Sequence, residues 1–73
     1  MKRVRFTIPA MWADHHVIPV VRALENVHGV KNIAASAARW EVVVEFDPSA
    51  TSIEAIESPL KAIGYPPSDH REL

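Results

Sequence analysis

Trp40-Glu41-Val42-Val43-Val44-Glu45-Phe46-Asp47-Pro48 is the stretch on which the fold turns. Trp40, Val42, Val44 and Phe46 stand at alternate positions, with Glu41, Val43 and Glu45 between them. A strand sends successive side chains to opposite faces, so residues 40–46 read as a strand with one fully apolar face. Asp47-Pro48-Ser49 follows as a turn, since Asp bonds its own backbone and Pro presets the bend.

Working outward, residues 30–37 read as a second strand, weakened by alanines and Ser36, with Arg39 in the turn that follows. Residues 2–8 alternate as well: Val4, Phe6 and Ile8 on one side, Arg3, Arg5 and Thr7 on the other. Pro9, which donates nothing to a ladder, stops that strand. Between these strands Val17, Val20, Val21, Leu24 and Val27 recur at helical spacing. Asp14 suits the N-cap of this helix and Gly29 its C-terminal stop. Pro19 makes the helix start late or bend near His15. Downstream, Ile53, Ile56, Leu60 and Ile63 form the stripe of a second helix, capped by Thr51 or Ser52 and ended by Gly64. Ala55 stands three residues after Ser52, so no full capping box is expected. Pro59 should break or kink this helix. Pro66-Pro67 leaves room only for a short edge strand near residues 68–72.

The order strand, helix, strand, strand, helix, strand predicts an α+β fold of ferredoxin-like βαββαβ type, an antiparallel sheet with two helices on one face. Each strand offers one apolar face, as a sheet covered on one side requires. With 73 residues and no internal boundary or repeat, residues 1–73 are expected to form a single domain.

Composition excludes several functions. The net charge of −1 leaves no electrostatic footprint for nucleic acid. The expected third strand also lacks a row of solvent-facing aromatics for stacking bases. The absence of cysteine removes disulfides, thiolate metal sites and thiol nucleophiles together. No apolar run approaches the ~18 residues of a membrane span, so no direct insertion is expected. Lys2, Arg3 and Arg5 precede an apolar run too short for a signal peptide. A cytoplasmic protein, or a soluble domain of a larger chain, is the expectation. No nucleophile–base–orienter set and no glycine-rich phosphate loop is present, so no enzyme is expected.

One stretch carries chemistry. Met11-Trp12-Ala13-Asp14-His15-His16-Val17 joins the first strand to the first helix and places two of the four histidines beside a carboxylate. Neighbouring helical residues point about 100° apart, so His15 and His16 converge only if the loop is not helical there. Asp14 has the competing task of capping. Trp12, a large aromatic on a loop, either covers this site or marks a contact surface. His28 suits a helix C-terminus, where a cation is favoured. His70 reads as a surface residue, and Glu25, Glu41, Glu45, Glu54 and Glu57 as solvated faces.

Taken together the chain resembles the heavy-metal-associated (HMA) domain family, the small copper and mercury chaperones and the N-terminal domains of metal-pumping P-type ATPases. Met11 stands where that family has the methionine of its MxCxxC loop. Val17, Val20, Ala23-Leu24, Val27 and Gly29-Val30 are similar to its first helix and the V-x-G-V that follows. Val44-Glu45-Phe46-Asp47-Pro48 is similar to its V-x-F-D-P, and Ile53, Ile56 and Ile63-Gly64-Tyr65 to its second helix and closing Gly-Tyr. The resemblance implies that Met11 packs inward beneath the loop and that Tyr65 lies near it. The departure is at the ligands: the family's two cysteines fall on Ala13 and His16. Alanine has no donor atom, and imidazole replaces the second thiolate.

Two readings follow. In the first, His16 with His15 and Asp14 binds a divalent transition metal, Zn, Ni, Co or Cu(II), for transport, homeostasis or sensing. Such binding weakens below about pH 6, because imidazole must shed its proton to ligate. Two chains bridged by one metal through both histidine pairs would complete a four-nitrogen shell. In the second, the domain has lost metal binding and acts as a protein-interaction or regulatory module, with Met11, Trp12 and Tyr65 shaping the loop face. A metal-transporting P-type ATPase or another transporter is the partner the resemblance implies.

Overall fold

The structure is a computed structural model that describes residues 1–73. Its elements run β1 (Lys2–Thr7), α1 (Asp14–Glu25), β2 (Val30–Ser36), a 3-10 turn (Ala37–Arg39), β3 (Glu41–Phe46), α2 (Ile53–Ala62) and β4 (Asp69–Glu72). The four strands form one antiparallel sheet in the order β2-β3-β1-β4. This is the expected ferredoxin-like α+β architecture.

Register explains the core. β1 and β3 pair with Val4 opposite Val44 and Phe6 opposite Val42. Cross-strand neighbours share a face, so these side chains, with Ile8 and Phe46, build one apolar surface. Val20 and Leu24 of α1, Ile56 and Leu60 of α2, and Met11 close over it. Each of these side chains is buried.

The opposite face carries the charges. Arg3 pairs with Glu45 at 3.4 Å and Arg5 with Glu41 at 3.8 Å. Asn32 of β2 donates its side-chain amide to Glu45 at 2.9 Å. That hydrogen bond first, and Arg3 beside it, hold the Glu45 carboxyl below its ordinary value. A carboxyl depressed in the folded state adds stability above its unfolded pKa, and that stability is lost as pH falls through the lowered value. Asn32→Ala is expected to move the Glu45 titration midpoint back upward, as read by carbon NMR of the carboxyl. An unmoved midpoint would contradict this assignment.

Three local expectations are corrected. Both helices run through their prolines: Pro19 lies inside α1 and Pro59 inside α2. Proline's fixed φ suits a helix, and the bond each removes belongs to the carbonyl four residues earlier, on His15 and Ala55. Both of those residues are exposed, where water can serve the freed carbonyl. Trp40 does not belong to β3. It takes the left-handed conformation, with φ 56°, and ends the 3-10 turn by donating its N–H to the Ala37 carbonyl. Its ring is thereby thrown out of the core face and stands exposed. Finally, Asp14 is not the N-cap of α1. Ala13 holds that place, and Asp14 is the first helical residue, where its charge favours the helix N-terminus. α2 is capped as expected, Ser52 Oγ accepting from the Ala55 N–H at 3.2 Å.

Candidate functional site

Three separate segments meet at one end of the sheet. The Ile8 carbonyl accepts the Met11 N–H at 3.0 Å, and the Ile8 N–H donates to the Trp40 carbonyl at 2.6 Å. The β1–α1 loop and the β2–β3 turn are thus tied to the same residue. The α2–β4 segment joins them through Tyr65, whose ring centroid lies 5.8 Å from that of His16. Met11 is wholly buried beneath the loop, so its thioether is a core group with no access to solvent.

His16 occupies the third position of α1, and its side chain turns back over the helix start. The backbone N–H groups of Trp12 and Ala13 both donate to its Nδ1, at 3.2 Å each. The first amides of a helix have no partner within the helix. Ala13 has no acceptor to offer, so His16 supplies the reciprocal half of a capping box by itself. Around it the aromatic rings gather. Trp12 stands edge-on to His16 at 4.9 Å and to His15 at 6.4 Å, and the two imidazoles lie 4.2 Å apart.

Of the residues singled out in the sequence, Trp12, His15, His16 and Tyr65 are therefore brought together. Met11 lies below them in the core, and Asp14 sits exposed on the first turn. Histidine convergence does not need a non-helical loop, since both residues lie within α1.

As a metal centre the arrangement fits poorly. No group of three His, Cys, Asp or Glu side chains that could hold an ion forms anywhere in the chain. Ala13 offers no donor. The Nδ1 lone pair of His16 already serves two amides, which requires the proton on Nε2. Ligation through Nδ1 would break both hydrogen bonds. Ligation through Nε2 would move the proton to Nδ1, facing two N–H groups. Of the two neighbouring histidines, His15 keeps both ring nitrogens without a protein partner, whereas His16 does not.

Two features of this region escape a linear reading. Trp40, assigned to a core strand, instead adds an exposed ring beside Thr7 and Pro9, with which it lines a shallow hollow. His70 is exposed, as expected of a surface residue, but its Nδ1 also lies 3.0 Å from the Glu57 carboxylate, a contact between β4 and α2. Nothing local connects two residues so far apart in the chain.

The βαββαβ fold, with an exposed loop between β1 and α1, defines a small metallochaperone-like domain, here without the cysteines. No family model matches the chain. Curated relatives do: the mercuric transport protein periplasmic component of Serratia marcescens is 31% identical over 65 residues, covering 89% of this chain and 71% of the relative. Among solved structures, oxidized MerP from Ralstonia metallidurans CH34 superposes with a TM-score of 0.86 at 29% identity, covering 90% of this chain and 92% of that one. A heavy metal binding protein from Thermotoga maritima gives 0.85 at 27% identity, covering 97% and 98%. The chain belongs to the heavy-metal-associated domain family. These relatives are transport and metal-binding proteins, and the chain is not an enzyme.

They also overturn the expected cytoplasmic placement. The mercuric transport relatives from Serratia marcescens, Pseudomonas fluorescens and Alcaligenes are all periplasmic components. Compartment is not written into the physics of a folded domain.

Proposed function

We propose that this domain is an HMA domain that has left metal carriage and serves as a protein-interaction module of a metal-transport system, acting in the periplasm. The observation that carries the reading is the ligand loop itself: it gathers no three-ligand group and instead exposes Trp12, 67% accessible. Trp12, Ile18, Trp40 and Ile63 are exposed large apolar side chains on the three segments that meet at this end or on the helix turns beside them. The others, Met1 and Leu73, are chain ends. An apolar group concentrated at one end of a small domain is what a docking surface requires. The mercuric transport relatives support a membrane transporter as the partner.

The deciding experiment has two arms. Tag-free protein titrated calorimetrically at neutral pH with Zn(II), Ni(II), Co(II), Cu(II) and Hg(II) is expected to show no saturable binding near micromolar levels. A photoreactive residue replacing Trp40 is expected to cross-link a membrane transporter in cells, and Trp12→Ala to abolish the cross-link, as truncating a central interface tryptophan does. Trp12→Ala should leave the unfolding midpoint nearly unchanged, because the ring is mostly in water. Saturable metal binding that disappears in the His15→Ala/His16→Ala double variant would sink the reading.

A second reading has one observation in its favour. The 4.2 Å approach of the His15 and His16 rings places two imidazoles side by side. A divalent ion held by His15 with His16 and Asp14, or shared between two chains, would use that pair. The same titration decides it.

A further inference from the structure

We propose that His16 is a positioning residue that stands in for the cargo: its imidazole anchors the loop from within, so that the loop face keeps one shape with no metal bound and docks independently of metal. This rests on the interaction-module reading for its consequence and on the loop geometry for its cause.

An exposed loop at a helix start is held only if its first amides find acceptors. Here the Trp12 and Ala13 N–H groups converge on one atom, Nδ1 of His16, at 3.2 Å each. The residue is half-buried, and Met11 immediately before these amides is locked in the core. The loop is therefore pinned at both ends, by a buried side chain and by an imidazole acceptor. Trp12 packs its ring edge-on against the same imidazole, and Tyr65 approaches it from the α2–β4 segment. His16 thus fixes the backbone beneath Trp12 and contacts the Trp12 ring as well. A residue at the old ligand position consumes its lone pair in holding the loop, which leaves the loop ordered and the ion without a place.

The test uses the whole chain and NMR. Nitrogen correlation spectra of the wild-type imidazoles are expected to show His16 with the proton on Nε2 and an unprotonated Nδ1. In His16→Ala the Trp12 and Ala13 amides should exchange with solvent about tenfold faster, while the β3 amides are unchanged. His16→Gln places an acceptor where a capping box has one and should restore protection at Ala13. Zn(II) added to the wild type should leave both amide resonances in place, and chelator should not reduce the cross-link to the transporter. The inference is overturned if wild-type His16 carries its proton on Nδ1, if the two amides exchange no faster in His16→Ala, or if cross-linking is lost on chelation. Absence of any cross-link in untreated cells would sink the docking reading and with it the docking consequence, while the tautomer and exchange results would still decide the anchor.

Discussion

Phe6→Ala is expected to lower the free energy of unfolding by about 3–5 kcal/mol, the usual cost of emptying a buried aromatic site. A chain of 73 residues has about 4–11 kcal/mol to lose at the typical stability per residue. The variant should therefore sit close to its unfolding transition under conditions where the wild type is folded. The size of the effect follows from position. Phe6 lies in β1, which is paired on both sides, opposite Val42 of β3 and His70 of β4, and it is fully buried. It belongs to the single apolar cluster joining both helices to the sheet. The strands around a central position cannot collapse inward without breaking ladder bonds on both sides, so most of the cavity should persist. Urea denaturation followed by circular dichroism checks this: the midpoint should fall with little change in slope. A loss below about 1 kcal/mol would mean that the core repacks around the missing ring.

The second large effect is at Gly29. Gly29→Ala should cost about 2–5 kcal/mol, against about 1–2 kcal/mol for Gly64→Ala. Both glycines have positive φ, 93° and 85°, where a Cβ is disfavoured. They differ in their surroundings. A Cβ on Gly29 would lie 2.8 Å from the Ala50 Cβ and 3.2 Å from the Thr51 Cγ2, whereas one on Gly64 would meet nothing within 4 Å. Ala50 has no flexible end to move aside, so the segment between β3 and α2 must shift. That segment is held to Gly29 by the Asp47 N–H donating to the Gly29 carbonyl at 2.8 Å. Thermal or urea unfolding of the two variants separates backbone strain from crowding. Equal losses would show that crowding at Gly29 is relieved without cost.

The site was legible in part. The loop between β1 and α1 is marked as the candidate site by its two histidines and by the family cysteine positions at Ala13 and His16. That Met11 packs beneath it and Tyr65 approaches it followed from the family resemblance, and both hold. The chemistry of His16 was not legible. A histidine in a sequence is equally a ligand, a cap or a solvated ring. Only the orientation of its Nδ1 toward two amides distinguishes these, and that orientation depends on how Met11, Trp12 and Tyr65 pack around it.

By itself the sequence determined the element order, the apolar faces and the stops. Alternation at Val4, Phe6 and Ile8 and at Val42, Val44 and Phe46, the helical stripes ending at Gly29 and Gly64, and the Ser52 cap are all local signals. Each depends on neighbours only a few residues away, and their sum admits one way of burying every apolar face. Tertiary structure alone decided the rest. Trp40 leaves the core because the β2–β3 turn needs a left-handed residue to close onto Ile8. His70 reaches Glu57 because β4 is laid against β1 on the side where α2 runs. The Trp12 and Ala13 amides turn to His16 because its half-buried imidazole, at the third position of α1, is the acceptor within reach. These outcomes depend on groups distant in sequence meeting in space, where sterics and hydrogen-bond satisfaction override local preference.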